Sequence, residues 1–242
     1  LPEILVSLFS SLEGSVDMAV GNAVGSVTVN TALIMGISIL CLPAVLGRRA
    51  FAAKAVLMLA SAAVLCAFGS MGALGLAPSL LLMMLFAAFV YESVCSGREG
   101  RARTKRAPFP GRKAALGNAG KFLLGAAGIA VGAQLMVDQG IGIAAALGVP
   151  ESVIGVTLMG AGTALPELAT TVAALRRKEA ALSIGNILGA NVIDLTLILP
   201  ICALFSGKPL LISQQARSLD LPALGVIAAV AALPAVFGKR LC

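Results

Sequence analysis

The sequence has no histidine, no tryptophan and a single tyrosine, Tyr91, and only 12% of its 242 residues are charged. Without histidine, imidazole zinc sites and histidine-based hydrolytic triads are excluded. The shortage of charge excludes an ordinary soluble domain, in which about a quarter of residues carry charge. The start shows no signal-peptide pattern of basic residues, short apolar stretch and cleavage site. The five cysteines, Cys41, Cys66, Cys95, Cys202 and Cys242, are scattered with no metal-knuckle or disulfide spacing, and read as small apolar packing residues.

What the sequence has in quantity is apolar length. Hydrophobic residues make up 59% of the chain, and mean hydropathy is +1.00. Apolar segments run over 1–12, 18–46, 51–70, 72–95, 121–137, 139–148, 152–175, 181–206 and 219–238. Gly140 alone does not force a break, so 121–148 reads equally as one long helix. Runs of about 20 apolar residues predict an all-α, polytopic membrane protein embedded in a lipid bilayer. The net charge of +7 lies in short basic runs between these segments, the distribution of cytoplasmic loops and not of a nucleic-acid face.

Two stretches match without a gap. Leu1-Pro2-Glu3 aligns with Leu165-Pro166-Glu167, Gly21-Asn22 and Gly25 with Gly185-Asn186 and Gly189, and Asn30 with Asp194, all at a constant offset of 164 residues. A duplicated unit explains this. If 121–148 is one helix, five crossings separate the matching segments, which places the copies in opposite orientations. Assigning loops alternately to two sides gives sixteen Lys and Arg on one side and two, Lys208 and Arg217, on the other. The basic side is cytoplasmic. The loop after the first LPE helix has Glu13 and Asp17, and that after the second has Arg176, Arg177 and Lys178, as an inverted repeat requires.

Glu3, Glu167 and Asp194 lie within apolar segments. Each costs about 2.5–3.5 kcal/mol or more if unpaired at the bilayer centre. No Lys or Arg lies at matching depth, so a bound cation is the simplest compensation. Each acid follows a helix disruptor: Gly160, Gly162 and Pro166 precede Glu167, and Gly185 and Gly189 precede Asp194. Breaks free backbone carbonyls to ligate cations. Asn22, Ser26 and Asn30 share one helical face, repeated by Asn186, Ala190 and Asp194. Thr163, four residues before Glu167, adds a hydroxyl. Every donor is an oxygen, which suits Ca²⁺ or Na⁺ over Zn²⁺ or Cu⁺.

At GTALPE (162–167) with GNILGANVID (185–194), and LPE (1–3) with GNAVGSVTVN (21–30), the chain resembles the sodium/calcium exchanger (calcium/cation antiporter) family, short prokaryotic type. The resemblance implies ten helices, discontinuous at the ion site, and Na⁺/Ca²⁺ counter-transport by alternating access, with no cofactor and no enzymatic activity. It implies Glu3 and Glu167 as central carboxylates, Asn30 and Asp194 as flanking ligands, and Ser26 and Thr163 as donors at neighbouring ion positions. Ala164 and Ala190 replace family serines, and Val27 replaces an asparagine. The family's first helix and the GTS before Leu1, and a tenth helix after Arg240, are expected outside this chain.

The expected organisation is a first inverted repeat over 1–95, a basic cytoplasmic linker over 96–120 and a second inverted repeat over 121–242. The expected location is a prokaryotic cell (inner) membrane. Two alternatives stay open: a proton-coupled Ca²⁺ or cation antiporter of the same fold, and a truncated, non-transporting membrane protein.

Overall fold

The computed structural model describes residues 1–41, 48–101 and 112–237. Among them, seven helical runs are long and apolar enough to cross a membrane: Val16–Cys41, Phe51–Ser70, Leu76–Ser96, Leu116–Leu147, Glu151–Arg176, Leu182–Ser206 and Ala216–Leu233. Pro2–Leu12 is a shorter apolar helix.

The helices in chain order are α1 (Pro2–Leu12), α2 (Val16–Thr28), α3 (Gly36–Cys41), α4 (Arg48–Ser70), α5 (Leu76–Arg101) and α6 (Arg112–Leu147). They continue with α7 (Glu151–Ile154), α8 (Gly160–Thr163), α9 (Leu165–Arg176), α10 (Ala180–Ile193), α11 (Leu199–Ser206) and α12 (Leu221–Phe237). Wider π-helical stretches join several of them: Val29–Met35 joins α2 to α3, Gly155–Met159 joins α7 to α8, Asp194–Ile198 joins α10 to α11, and Ala216–Asp220 precedes α12. Two short strands, β1 (Ala73–Leu74) and β2 (Leu210–Leu211), pair antiparallel and tie the turn after α4 to the turn after α11.

The sequence repeat is also a repeat of local structure. Shifted by 164, α1 falls on α9, α2 on α10, and the π-helical stretch at Val29–Met35 on that at Asp194–Ile198. Both α1 and α9 carry a proline in their first turn, Pro2 and Pro166, tolerated there because the first-turn N–H has no helical partner. The turns after them match bond for bond: Ser15 N donates to Ser10 O and Glu179 N to Ala174 O. Each turn holds one positive φ at the matching place, +87° at Gly14 and +60° at Lys178.

Segment 121–148 is a single helix. Gly140 lies inside α6, and its missing side chain gives room to Met159 and Met18. At 36 residues, α6 is about 54 Å long and exceeds the bilayer thickness. It therefore runs out into the basic linker. The expectation that 96–120 is entirely a loop is corrected accordingly: α5 continues to Arg101 and α6 begins at Arg112, because Arg, Lys and Ala favour helix. Residues 102–111, with Pro108 and Pro110, lie outside the described residues, as do Lys239 and Arg240. A second correction concerns Gly185 and Gly189. They do not interrupt their helix, since α10 is continuous to Ile193 and the change of backbone comes at Asp194.

The largest apolar core joins α2, α4, α10 and α12 through residues such as Val24, Met58, Ile187, Leu188 and Leu224, all essentially inaccessible. The two halves meet at glycines. A Cβ on Gly21 would lie 2.8 Å from Ser152 O, on Gly155 2.7 Å from Met18 O, and on Gly160 2.8 Å from Gly25 Cα. These helices touch backbone to backbone, the contact that small residues permit in membranes.

Candidate ion-binding site

Asn30, Glu167 and Asp194 fall near the middle of the spans Val16–Cys41, Glu151–Arg176 and Leu182–Ser206. The π-helical stretches carry Asn30 and Asp194 across to the other half. Val29–Met35 packs on α9 and α10, and Asp194–Ile198 packs on α1 and α2. Asn30 therefore sits beside the helix of Glu167, and Asp194 beside the helix of Glu3. The carboxylates of Glu3 and Glu167 lie within electrostatic reach of each other, and Asp194 within reach of both.

Around them is a hydrogen-bonded scaffold. Asn22 Nδ2 donates to Glu3 O at 3.1 Å and to Ser7 Oγ at 2.9 Å. Ser7 Oγ donates to Ala19 O at 3.1 Å, holding α1 to α2. Thr163 Oγ1 donates to Asn22 Oδ1 at 3.2 Å and lies 3.0 Å from Ser26 Oγ. Ser26 Oγ in turn donates to the Asn22 carbonyl at 2.8 Å. Thr163 and Ser26, from opposite halves, are thus brought together. On the other flank, Asn191 Nδ2 donates to Thr31 Oγ1 at 2.7 Å.

Several buried atoms have no hydrogen-bond partner: Glu3 Oε1, Glu167 Oε2, Asp194 Oδ2, Asn191 Oδ1 and both amide atoms of Asn30. The second Glu3 oxygen is met by the Leu1 amino group at 3.4 Å. Similar atoms occur elsewhere, on Ser10, Ser11, Glu92, Ser93 and Asp220. Among the described residues, those on Glu3 and Asn30 belong to the first half and those on Glu167, Asn191 and Asp194 to the second. Each unpaired buried polar atom costs about 1–3 kcal/mol. Among the described residues, no three carboxylate or thiol side chains come close enough to form a metal cage by themselves. The donor set is a mixed one, carboxylate with amide, hydroxyl and backbone oxygen, which is the chemistry of hard cations.

The second half is more open. Glu3 is 3% exposed whereas Glu167 is half-buried, and Asn186 is exposed whereas Asn22 is buried. Ser7 and Asn191 complete the scaffold although the sequence does not single them out, while Asn22 lies on the face it shares with Ser26 and Asn30. For Ser7 a signal existed, since its counterpart Thr171 also carries a hydroxyl.

Fold and buried chemistry define the class: an all-α polytopic membrane protein with an oxygen-lined polar interior. The chain matches the family "Sodium/calcium exchanger protein" over residues 1–94 and 118–240. It belongs to that family and is a cation antiporter of it. It is 29% identical over 209 residues to the uncharacterized membrane protein MJ0091 of Methanocaldococcus jannaschii, covering 86% of this chain and 68% of that one. It is 31% identical over 218 residues to the inner membrane protein YrbG of Escherichia coli, covering 85% of this chain and 66% of that one. The chain thus spans about two thirds of the length of these relatives. Its fold is similar to that of the sodium-calcium exchanger NCX_Mj soaked with Na⁺ and Sr²⁺, with a TM-score of 0.70 and 26% identity, over all of this chain and 76% of that one.

Proposed function

We propose that this antiporter exchanges Na⁺ for Ca²⁺ by alternating access, with Glu3, Glu167, Asp194, Asn30, Ser26 and Thr163 as its cation ligands. The observation that carries this reading is the reciprocal crossing of the two halves. Each half sends its π-helical residue, Asn30 or Asp194, against the other half's LPE helix, and unpartnered carboxylate and amide oxygens gather there. Buried charge of one sign is tolerated only when compensated. A loaded site can therefore rearrange while an unloaded one resists, and that difference separates an exchanger from a leak. The resemblance in fold to a sodium-calcium exchanger supports the choice of ions.

The repeats, 1–95 and 121–242, are oppositely oriented in this reading. The unbroken α6 supports it, because four spans then lie between the matching ones, and an even number of intervening spans leaves the two antiparallel. Rocking of one repeat against the other opens the site to each side in turn. The location is a cell inner membrane with the 96–120 linker in the cytoplasm, in keeping with the similarity to an inner membrane protein and with the basic character of that linker.

The test is Glu167→Gln in vesicles carrying a Na⁺ gradient. Uptake of radiolabelled Ca²⁺ is expected to vanish, and uptake at the unmodified rate would rule out the assignment. A proton-coupled antiporter of the same fold is the second reading, favoured by Ala164 and Ala190, which bring no hydroxyl. Ca²⁺ uptake driven by a pH step without Na⁺ selects it.

A further inference from the structure

Asn22 and Asn186 hold matching positions in the repeat yet behave differently. Asn22 is wholly buried and clamps α1 through the Glu3 carbonyl and the Ser7 hydroxyl. Shifted by 164, the corresponding acceptors are the Glu167 carbonyl and the Thr171 hydroxyl. Both exist, and both are held by other groups. Thr170 Oγ1 donates to Glu167 O at 2.9 Å. Ser183 Oγ donates to Thr171 Oγ1 at 3.2 Å, and Ser38 Oγ donates to Ser183 Oγ at 3.2 Å. Asn186 is exposed on a membrane-spanning helix, and among the described residues its side chain makes no hydrogen bond.

An unbonded amide on an apolar helix is costly in lipid, so a residue kept there needs a partner in another state. The α9–α10 hairpin is built like the α1–α2 hairpin, with the same turn hydrogen bonds and the same positive φ at Gly14 and Lys178. The Asn186 amide therefore lies on the turn of α10 that corresponds to the Asn22 turn of α2. Moving it onto α9 would exchange bonds: Thr170 and Ser183 would release their acceptors as Asn186 takes them. The number of hydrogen bonds changes little, so two such arrangements differ by little free energy, as a reversible carrier needs.

We propose that Asn186 is a positioning residue: in the opposite-facing state its amide donates to the Glu167 carbonyl and the Thr171 hydroxyl, fixing Glu167 as Asn22 fixes Glu3. The two clamps are made in alternation, the Asn22 clamp with one side closed and the Asn186 clamp with the other. This rests on the alternating-access reading above.

Because the Asn186 side chain makes no hydrogen bond to the described residues in the present state, Asn186→Ala should leave folding unchanged. It should slow Na⁺-driven Ca²⁺ exchange about tenfold in maximal rate, since it removes two hydrogen bonds from one state only. Asn186→Ser, which keeps a short donor, should restore part of the rate. A second readout does not depend on transport. With the five native cysteines replaced by alanine, Thr171→Cys with Asn186→Cys should cross-link to different extents in Na⁺, in Ca²⁺ and without either. Full-rate exchange by Asn186→Ala in an active background, or a cross-link indifferent to cations, overturns the clamp. A cation-dependent cross-link in a chain that moves no Ca²⁺ upholds the clamp and counts against the proposed exchange.

Discussion

Replacing Gly25 by alanine tests how the halves are joined. Its Cβ would sit 2.7 Å from Val156 Cα. Carbons in contact settle at about 3.5–4.0 Å, so the backbones must separate by on the order of 1 Å. Both walls are main chain, and no side chain can swing aside. The matching glycine, Gly189, gives the control: its Cβ would meet Phe89 Cζ at 3.6 Å, an ordinary contact. Alanine gains about 0.8–1 kcal/mol of helix propensity at either place. At Gly189 that gain stands nearly alone. At Gly25 it offsets only part of an overpacking cost of about 1–3 kcal/mol, for a net loss of up to about 2 kcal/mol. At roughly 2–4 °C per kcal/mol for a chain of this size, Gly25→Ala should melt up to about 8 °C lower. Gly189→Ala should melt at or above the unmodified temperature. Parting the helices by on the order of 1 Å also carries Ser26 and Thr163, now 3.0 Å apart, beyond hydrogen-bond range, so Ca²⁺ binding should weaken in Gly25→Ala alone. Thermal unfolding of the detergent-purified proteins, followed by intrinsic thiol reactivity or light scattering, decides the matter. Equal melting temperatures for the two variants would refute the backbone contact.

Two more outcomes follow from the same geometry. Lys178 holds φ at +60° where Gly14 serves in the other copy, so Lys178→Gly should relieve on the order of 1 kcal/mol of left-handed strain and raise the melting temperature; a fall would show that the side chain contributes more than its backbone costs. Added Ca²⁺ should stabilise the protein by about 2.7 kcal/mol at a hundred times its dissociation constant, and Glu167→Gln should abolish that shift in the same melting assay; a shift retained by the variant would place the cation elsewhere.

The acidic and amide residues of the site were legible because the membrane makes them conspicuous. A carboxylate at 3, 167 or 194 has no solvent to justify it, and the constant 164-residue offset picks out the same positions in both copies. The unbroken α6 was one of two open readings, because a lone glycine carries too little conformational preference to decide. The helical ends of the linker are not legible in the sequence, because Pro108 and Pro110 mark a loop and local pattern does not fix how far the flanking helices extend toward it. In sequence Gly160 stands as a helix disruptor, whereas it sits with Gly21, Gly25 and Gly155 in helical backbone and serves close approach. Their role depends on a partner far away in sequence.

The sequence by itself determined the membrane class, the family and the duplicated unit, since each follows from composition or from short-range pattern. Only the tertiary structure decided which copies of those residues work together. It paired Thr163 with Ser26, set Asp194 against the helix of Glu3, and closed one asparagine clamp while leaving its twin open. Identical local sequences carry identical local preferences, and it is packing against distant helices that makes the two halves differ.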